Sequence, residues 1–332
     1  MEIGVERLMV RTKRPFTIAH GSSEAFERVV LTLEEGGTTG RGEAAPTSYY
    51  DQDAADVADA LARIEVHDPW DIEGTLEENG FLPPVALAAL DAALHDLVAK
   101  KLEIPVYKLL GLTRPEPQSA YTLAIAELEI SVAEAKKLSG FPILKIKVGG
   151  EEDLETVRAV AKISEAALWV DANEAFSPEE APEVALELKD MGVGVIEQPV
   201  PAAEGPEALR RVTEAAAPLP VIADESAIDA RDVPRLHRHV SGVNVKLVKC
   251  GGIRGALRMI HTARAAGMFV MLGCMVETSL GIAAAAQISG LVDFVDLDGA
   301  MLLAGDPFAG LDYEKGRIRL PEEPGLGVKP RK

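Results

Sequence analysis

The sequence predicts an α/β fold: a (β/α)7–8 barrel of modified TIM type, preceded by an N-terminal α+β capping domain. Three observations predict it. The C-terminal two thirds of the chain alternates short apolar runs with amphipathic stretches of helical period. Five of these runs end in a charged residue, at Lys147, Asp171, Glu197, Asp224 and Lys246, spaced 24, 26, 27 and 22 residues apart. One strand, one helix and two loops need about that much chain. The runs themselves are continuously apolar, as strands buried on both faces are. A doubly wound open sheet is the alternative, but it would not normally keep so even a period or place charges at the same end of nearly every strand.

Taken in order, MEIGVERLMV and RVVLTLEE alternate as strands do, and GGTTGRGEA turns into a third. DQDAADVADALARIEVHD and PPVALAALDAALHDLVAKKL have helical periodicity. Strands followed by helices make an α+β unit over residues 1–115. The prolines of LGLTRPEPQSA mark the boundary. Eight strand-like runs then fill residues 116–309: AYTLAI, PILKIKV, ALWVDAN, VGVIEQP, LPVIADES, GVNVKLVK, MFVMLGC and DFVDLDG. The tail, about 310–332, is expected to return to the first unit.

The 332 residues, 47% hydrophobic and 26% charged, have a globular composition. A net charge of −19 argues against nucleic acid and anionic membranes as partners, because binding phosphates takes a basic patch. Cys250 and Cys274, far apart and in no ligand spacing, suit a reducing compartment and read as small buried fillers. No signal peptide is recognisable, and LGIAAAAQISGLV is too short to span a bilayer. The expectation is a soluble, cytoplasmic protein, with a homo-oligomer left open.

Barrel active sites lie where the strands end. A single carboxylate there reads more readily as a helix cap or rim charge. Asp171, Glu197 and Asp224, on three consecutive strand ends, instead make an all-oxygen site for a hard divalent cation. Mg2+ suits that set better than Zn2+, which prefers His and Cys. Lys147 and Lys246 fall on the second and sixth strands, opposite one another in an eight-stranded barrel. Lys145 and Lys147 share one face, so their ammonium groups repel and a lysine moves toward the range of a general base. A metal-bound carboxylate whose α-proton lies between two lysines can form an enediolate and be reprotonated with inverted configuration. Asp296 and Asp298, two positions apart at the end of the eighth strand, are like charges on one face. Either they sit on a wet rim or they await a cation.

The series KIK, DAN, EQP, DES, KLVKCGG and DLDG, with PFTIAHGS and CMVETSLGIAAAA, resembles the muconate-lactonizing subgroup of the enolase superfamily. More narrowly it is similar to the dipeptide epimerases of the L-Ala-D/L-Glu epimerase type, over essentially the whole chain. That superfamily uses a Lys or His base with Mg2+. The resemblance implies that Asp171, Glu197 and Asp224 bind one Mg2+ (Mn2+ as a substitute), supported by Asn173, Glu225 and Lys249. It implies that Lys147 and Lys246 are the acid/base pair, and that Lys145 holds the substrate carboxylate and lowers the pKa of Lys147. It assigns the substrate's α-ammonium to Asp296 and Asp298. The implied reaction is epimerisation of the C-terminal residue of an L,L-dipeptide by 1,1-proton transfer.

In the same subgroup, o-succinylbenzoate synthases, N-acylamino acid racemases and cycloisomerases share the metal site but act on substrates with no free ammonium. A Schiff-base aldolase barrel and a non-catalytic binding protein are more distant alternatives. The resemblance also implies that loops PFTIAHGSSEAF and APTSYYDQD choose the substrate. Some Ala-Glu epimerases use an arginine in the first loop, and none stands between Pro15 and Arg28 here. His20 and Tyr49 are the expected rim contacts, with Glu277 as a further substrate contact. Ala-Glu-like and hydrophobic dipeptides both fit. The glycines of KCGGIRG are expected to turn beside the substrate, and RLHRH reads as a solvated basic patch.

Overall fold

The protein is described by a computed structural model covering residues 1–331; Lys332, the last residue of the expected tail, lies outside the described residues. The chain opens with three antiparallel strands, β1 (Glu2–Ile18), β2 (Gly21–Glu35) and β3 (Thr38–Ala44). The β1–β2 pairing runs from Glu2 opposite Glu34 to Ile18 opposite Gly21, with a register shift between Arg11 and Phe16. Such a shift bends and twists a hairpin. The far end of this one lies across the barrel: Ile125 N–H donates to Thr17 O (3.0 Å) and Ala304 N–H to Arg11 O (2.8 Å).

Helices α1 (Ala54–Leu61), α2 (Ile72–Glu78), α3 (Pro84–Lys101) and α4 (Val106–Leu109) follow. The helix expected over residues 51–68 shortens to α1. Asp53 caps its start, and beyond Leu61 the chain turns toward Pro69 and the cap of α2 at Asp71. Helix α3 is buried on nearly every side because it lies between the three-stranded sheet and the barrel. Gly40 and Gly42 of β3 permit the approach: a Cβ there would stand 2.2 and 2.0 Å from the carbonyl oxygens of Ala93 and Ala89.

The barrel strands are β4 (Tyr121–Leu123), β5 (Ile143–Lys147), β6 (Ala167–Asp171), β7 (Val195–Glu197), β8 (Val221–Ala223), β9 (Gly242–Val245), β10 (Phe269–Gly273) and β11 (Phe294–Asp296). All eight expected runs are strands, and they pair in parallel in sequential order. Ala120 N–H donates to Val295 O (3.0 Å), joining the first strand to the last. Between the strands run α5 (Leu128–Lys137), α6 (Leu154–Ile163), α7 (Ala181–Asp190), α8 (Gly205–Ala216), α9 (Val233–Leu236), α10 (Leu247–Cys250), α11 (Ile253–Ala265) and α12 (Ser279–Ala286). The tail touches the first unit, where Gly325 N–H donates to Ile104 O and Leu326 N–H to Asp96 Oδ1 (2.9 and 2.8 Å). No helix among the described residues is long and apolar enough to cross a membrane.

Candidate active site

The register of β5, β6 and β7 sets the site. Lys147 pairs with Asp171, and Asp171 with Glu197, so the last residues of three strands stand level. Asp224 follows β8 directly and Lys246 follows β9. A cavity of about 720 Å³ opens above them, lined by Lys145, Lys147, Asn173, Asp224, Glu225, Lys246, Asp296 and Asp298 from the barrel. Its other wall belongs to the N-terminal unit, including Phe16, Ile18, His20, Phe26, Tyr49 and Tyr50.

The carboxylates and lysines interlock. Lys147 Nζ donates to Asp171 Oδ2 (2.5 Å) and Asn173 Oδ1 (3.0 Å). Lys145 Nζ lies 2.9 Å from Asp171 Oδ2, 2.6 Å from Glu197 Oε2 and 2.7 Å from Asp296 Oδ2. Lys246 Nζ donates to Asp224 Oδ2 (2.6 Å). Lys249 sits behind Asp224, donating to its Oδ1 (2.5 Å) and to the backbone oxygens of Asp224, Ala227 and Asn244. Asn173 Nδ2 donates to Glu225 Oε1 (3.1 Å), so Asn173 links Lys147 to Glu225.

Two expectations change in detail. The repulsion between Lys145 and Lys147 is absorbed, because both touch the same oxygen of Asp171. Burial works against the Lys145 ammonium, but Asp171, Asp296 and Glu197 outweigh it and its pKa rises well above the usual lysine value. Lys246 behaves alike, with Asp224 the leading carboxylate. The strand pair Asp296/Asp298 is also corrected. Strand β11 ends at Asp296, and Asp298 begins a short 3-10 helix with a helical backbone. The two side chains nevertheless line the cavity together, 5% and 4% exposed, and neither faces open solvent. Asp296 meets Lys145, and Asp298 Oδ2 accepts from Thr122 N–H (2.6 Å).

Negative charge remains in excess. Six carboxylates (Asp171, Glu197, Asp224, Glu225, Asp296, Asp298) meet four lysines (145, 147, 246, 249). Burial, then Asp171, raises Glu197 to about 7; burial, then Asp224, raises Glu225 to about 8. Burial and Asp296 raise Asp298 to about 7. Asp171 and Asp224 move the other way, since their lysines outweigh burial. Glu225 Oε2 and Asp296 Oδ1 are buried without a hydrogen-bond partner.

Among the described residues, no three carboxylates, histidines or cysteines converge at ligand distance. The Lys145 ammonium stands between Asp171 and Glu197 as the local positive charge. The donors still fit a hard divalent cation: all are carboxylate oxygens, Glu225 Oε2 beside them is buried without a hydrogen-bond partner, and the cluster is short of positive charge.

The rim residues divide. His20 Nε2 lies 3.3 Å from Glu174 Oε2, and the Tyr49 hydroxyl donates to that oxygen (2.8 Å). Glu277 is not among the residues lining the cavity: its carboxylate accepts from Met275 N–H (2.8 Å), close to buried Glu43 and Arg28. Burial, then Glu43, raises it to about 7. The KCGGIRG glycines do turn, with positive φ at Gly251 and Gly252. They pack away from the cavity, against Leu87 and Asp91 of α3, because Asp91 caps the start of α11. Cys274 is no mere filler, since it lines the cavity beside Asp298.

Other residues escaped the sequence reading. Asn244 Nδ2 donates to Glu197 Oε1 (2.6 Å), and its place two residues before Lys246 on a strand was a usable signal. Thr122, which acts through its backbone N–H, and Glu174, one residue past DAN, gave none.

Two family models match the chain: "Mandelate racemase / muconate lactonizing enzyme, N-terminal domain" over residues 2–111 and "Enolase C-terminal domain-like" over residues 127–332. An L-Ala-D/L-Glu epimerase of Bacteroides thetaiotaomicron is 38% identical over 96% of this chain and 85% of its own. A hydrophobic dipeptide epimerase of Roseobacter litoralis is 35% identical over 98% of each chain. The structure of a dipeptide epimerase from Enterococcus faecalis, complexed with Mg and L-Leu-L-Tyr, superposes with a TM-score of 0.93 at 32% identity, over 98% of both chains. The chain therefore belongs to the mandelate racemase/muconate-lactonizing enzyme family of the enolase superfamily, among its dipeptide epimerases.

Proposed function

We propose that the protein is a Mg2+-dependent dipeptide epimerase that inverts the α-carbon of the C-terminal residue by 1,1-proton transfer. The observation that carries this reading is the convergence of Lys147, Lys246 and the Asp296/Asp298 pair on one cavity. Lysines from β5 and from the end of β9, opposite strands, approach an α-carbon from its two faces. One takes the proton and the other returns one, and the configuration inverts.

Asp171, Glu197 and Asp224 would hold the metal, which when bound would offset the negative charge growing on the substrate carboxylate. Asn173 and Glu225 brace Lys147 and the carboxylate shell, and Lys249 fixes Asp224 from behind. Lys145, drawn to three carboxylates, steadies the negative charge around the substrate carboxylate. At the other wall, Asp296 and Asp298 receive the peptide's α-ammonium, and His20 and Tyr49 form the rim over the side chains. A buried pair of carboxylates, one raised to about 7, favours a cationic substrate group. The cycloisomerase and o-succinylbenzoate synthase substrates lack one.

The test is incubation with a dipeptide library in D2O. Label should enter the C-terminal α-position while the L,D isomer accumulates. Turnover of a cyclohexadiene carboxylate with no exchange in any dipeptide would sink the reading.

A further inference from the structure

Glu174 is a carboxylate at the cavity rim that the proton transfer does not use. It follows Asn173, the partner of Lys147, on the loop between β6 and α7. Its backbone is fixed, since its N–H donates to Gln198 O (2.9 Å). Asn173 and Glu174 both hold left-handed backbone conformations, φ 40° and 70°. Such conformations are costly for residues other than glycine, and they persist where the surroundings enforce them. This bend lets adjacent residues serve different partners. Asn173 contacts Lys147 and Glu225, while Glu174 contacts the N-terminal unit.

The Glu174 side chain is 11% exposed, and both its oxygens are engaged. Oε1 accepts from Ala202 N–H (2.6 Å), which anchors the carboxylate to the loop after β7. Oε2 accepts from the Tyr49 hydroxyl (2.8 Å) and lies 3.3 Å from His20 Nε2. Tyr49 comes from the loop after β3 and His20 from the tip of the β1–β2 hairpin. Their rings also meet, with centroids 4.8 Å apart. Two separate loops of the N-terminal unit thus converge on one barrel carboxylate directly beside the proton-transfer site.

We infer that Glu174 is a positioning residue, which docks the hairpin tip and the Tyr49 loop together over the bound dipeptide. The inference rests on the dipeptide epimerase reading for its substrate, but the docking itself can be measured without one. One anchored carboxylate holds side chains of both loops, and a further tie of the hairpin, Ile125 N–H to Thr17 O, lies behind its tip, so removing Glu174 loosens both loops together. Loops held by few side-chain contacts open readily when one is lost.

The test compares the full-length protein with Glu174→Ala and Glu174→Gln. Hydrogen–deuterium exchange of the backbone, read by mass spectrometry without substrate, is expected to quicken in Glu174→Ala at residues 16–24 and 47–52 together. Peptides from β5, β9 and α3 should keep their rates. In epimerisation assays the KM of Glu174→Ala should rise about ten-fold, with kcat changed much less. Glu174→Gln keeps an oxygen for Tyr49 and loses the charge beside His20, so it should fall between. Unchanged exchange in either loop, or an unchanged KM in Glu174→Ala, would overturn the inference. A wild-type protein that epimerises no dipeptide would remove the substrate reading and leave the exchange comparison to decide the docking.

Discussion

The strand ends and the rim of this cavity are built in opposite ways. Asp224, Lys246 and Lys249 are all buried, Asp224 meets both lysines, and Lys249 makes four hydrogen bonds. At the rim, Tyr49 is 38% exposed, and its hydroxyl reaches the barrel by one hydrogen bond. The difference teaches that strand register fixes the carboxylates and lysines, whereas the loops over them are lightly tied to the barrel. A buried, over-determined cluster tolerates little change; a rim with few contacts can change without disturbing the strands.

The comparison can be broken first at the strand ends, where effects should be largest. Lys147→Ala and Lys246→Ala should each lower the epimerisation rate by roughly 10²- to 10⁴-fold, the usual worth of a placed proton-transfer group, as measured by chiral chromatography of product. Removing divalent metal with EDTA should abolish turnover, and Mg2+ should restore it; full activity in chelator would refute the cation site. Lys249→Met should leave Asp224 with one lysine where it now has two. A stability loss of about 3 kcal/mol is expected on urea unfolding, because a buried ion pair is broken and the oxygens of Asp224, Ala227 and Asn244 lose a donor.

Asp298 sharpens the contrast through pH. Its carboxyl is raised from 3.8 to about 7, so it is protonated below neutrality in the free protein. Only the ionised form attracts an ammonium group, so KM should fall as pH rises through about 7, and Asp298→Asn should flatten that profile. The stability sign is the reverse. A raised carboxyl contributes most below its unfolded value, and that contribution is lost as pH rises from about 4 to 7. Asp298→Asn should therefore gain in Tm relative to wild type above pH 7. Smallest of all, Tyr49→Phe should raise KM by a few-fold and leave kcat alone, since it removes one exposed hydrogen bond.

The same division governs what could be read from the sequence. Lys147, Asp171 and Glu197 were visible because a strand has a fixed period, and register converts equal spacing into equal height. All eight barrel strands were visible for the same reason, as continuous apolar runs. Loops carry no such ruler. Asp298 was read as a strand residue because Leu297 extends the apolar alternation, whereas the chain has already turned into a 3-10 helix. The place of Glu277 after β10 does not reveal that its carboxylate accepts from Met275 N–H. The KCGGIRG glycines resembled a substrate-side turn until α3 supplied Asp91 as their neighbour. Contacts between distant segments, such as Glu174 with Tyr49, have no local signature at all.

The central claim is that two lysines serve the two faces of one α-carbon. It is tested most directly by stereospecific deuterium exchange in Lys147→Ala and Lys246→Ala. L,L and L,D dipeptides are incubated separately in D2O, and α-label is followed by NMR. Each variant should retain exchange from one isomer only, with opposite preferences for the two variants. Equal exchange from both isomers in either variant would contradict the two-face arrangement.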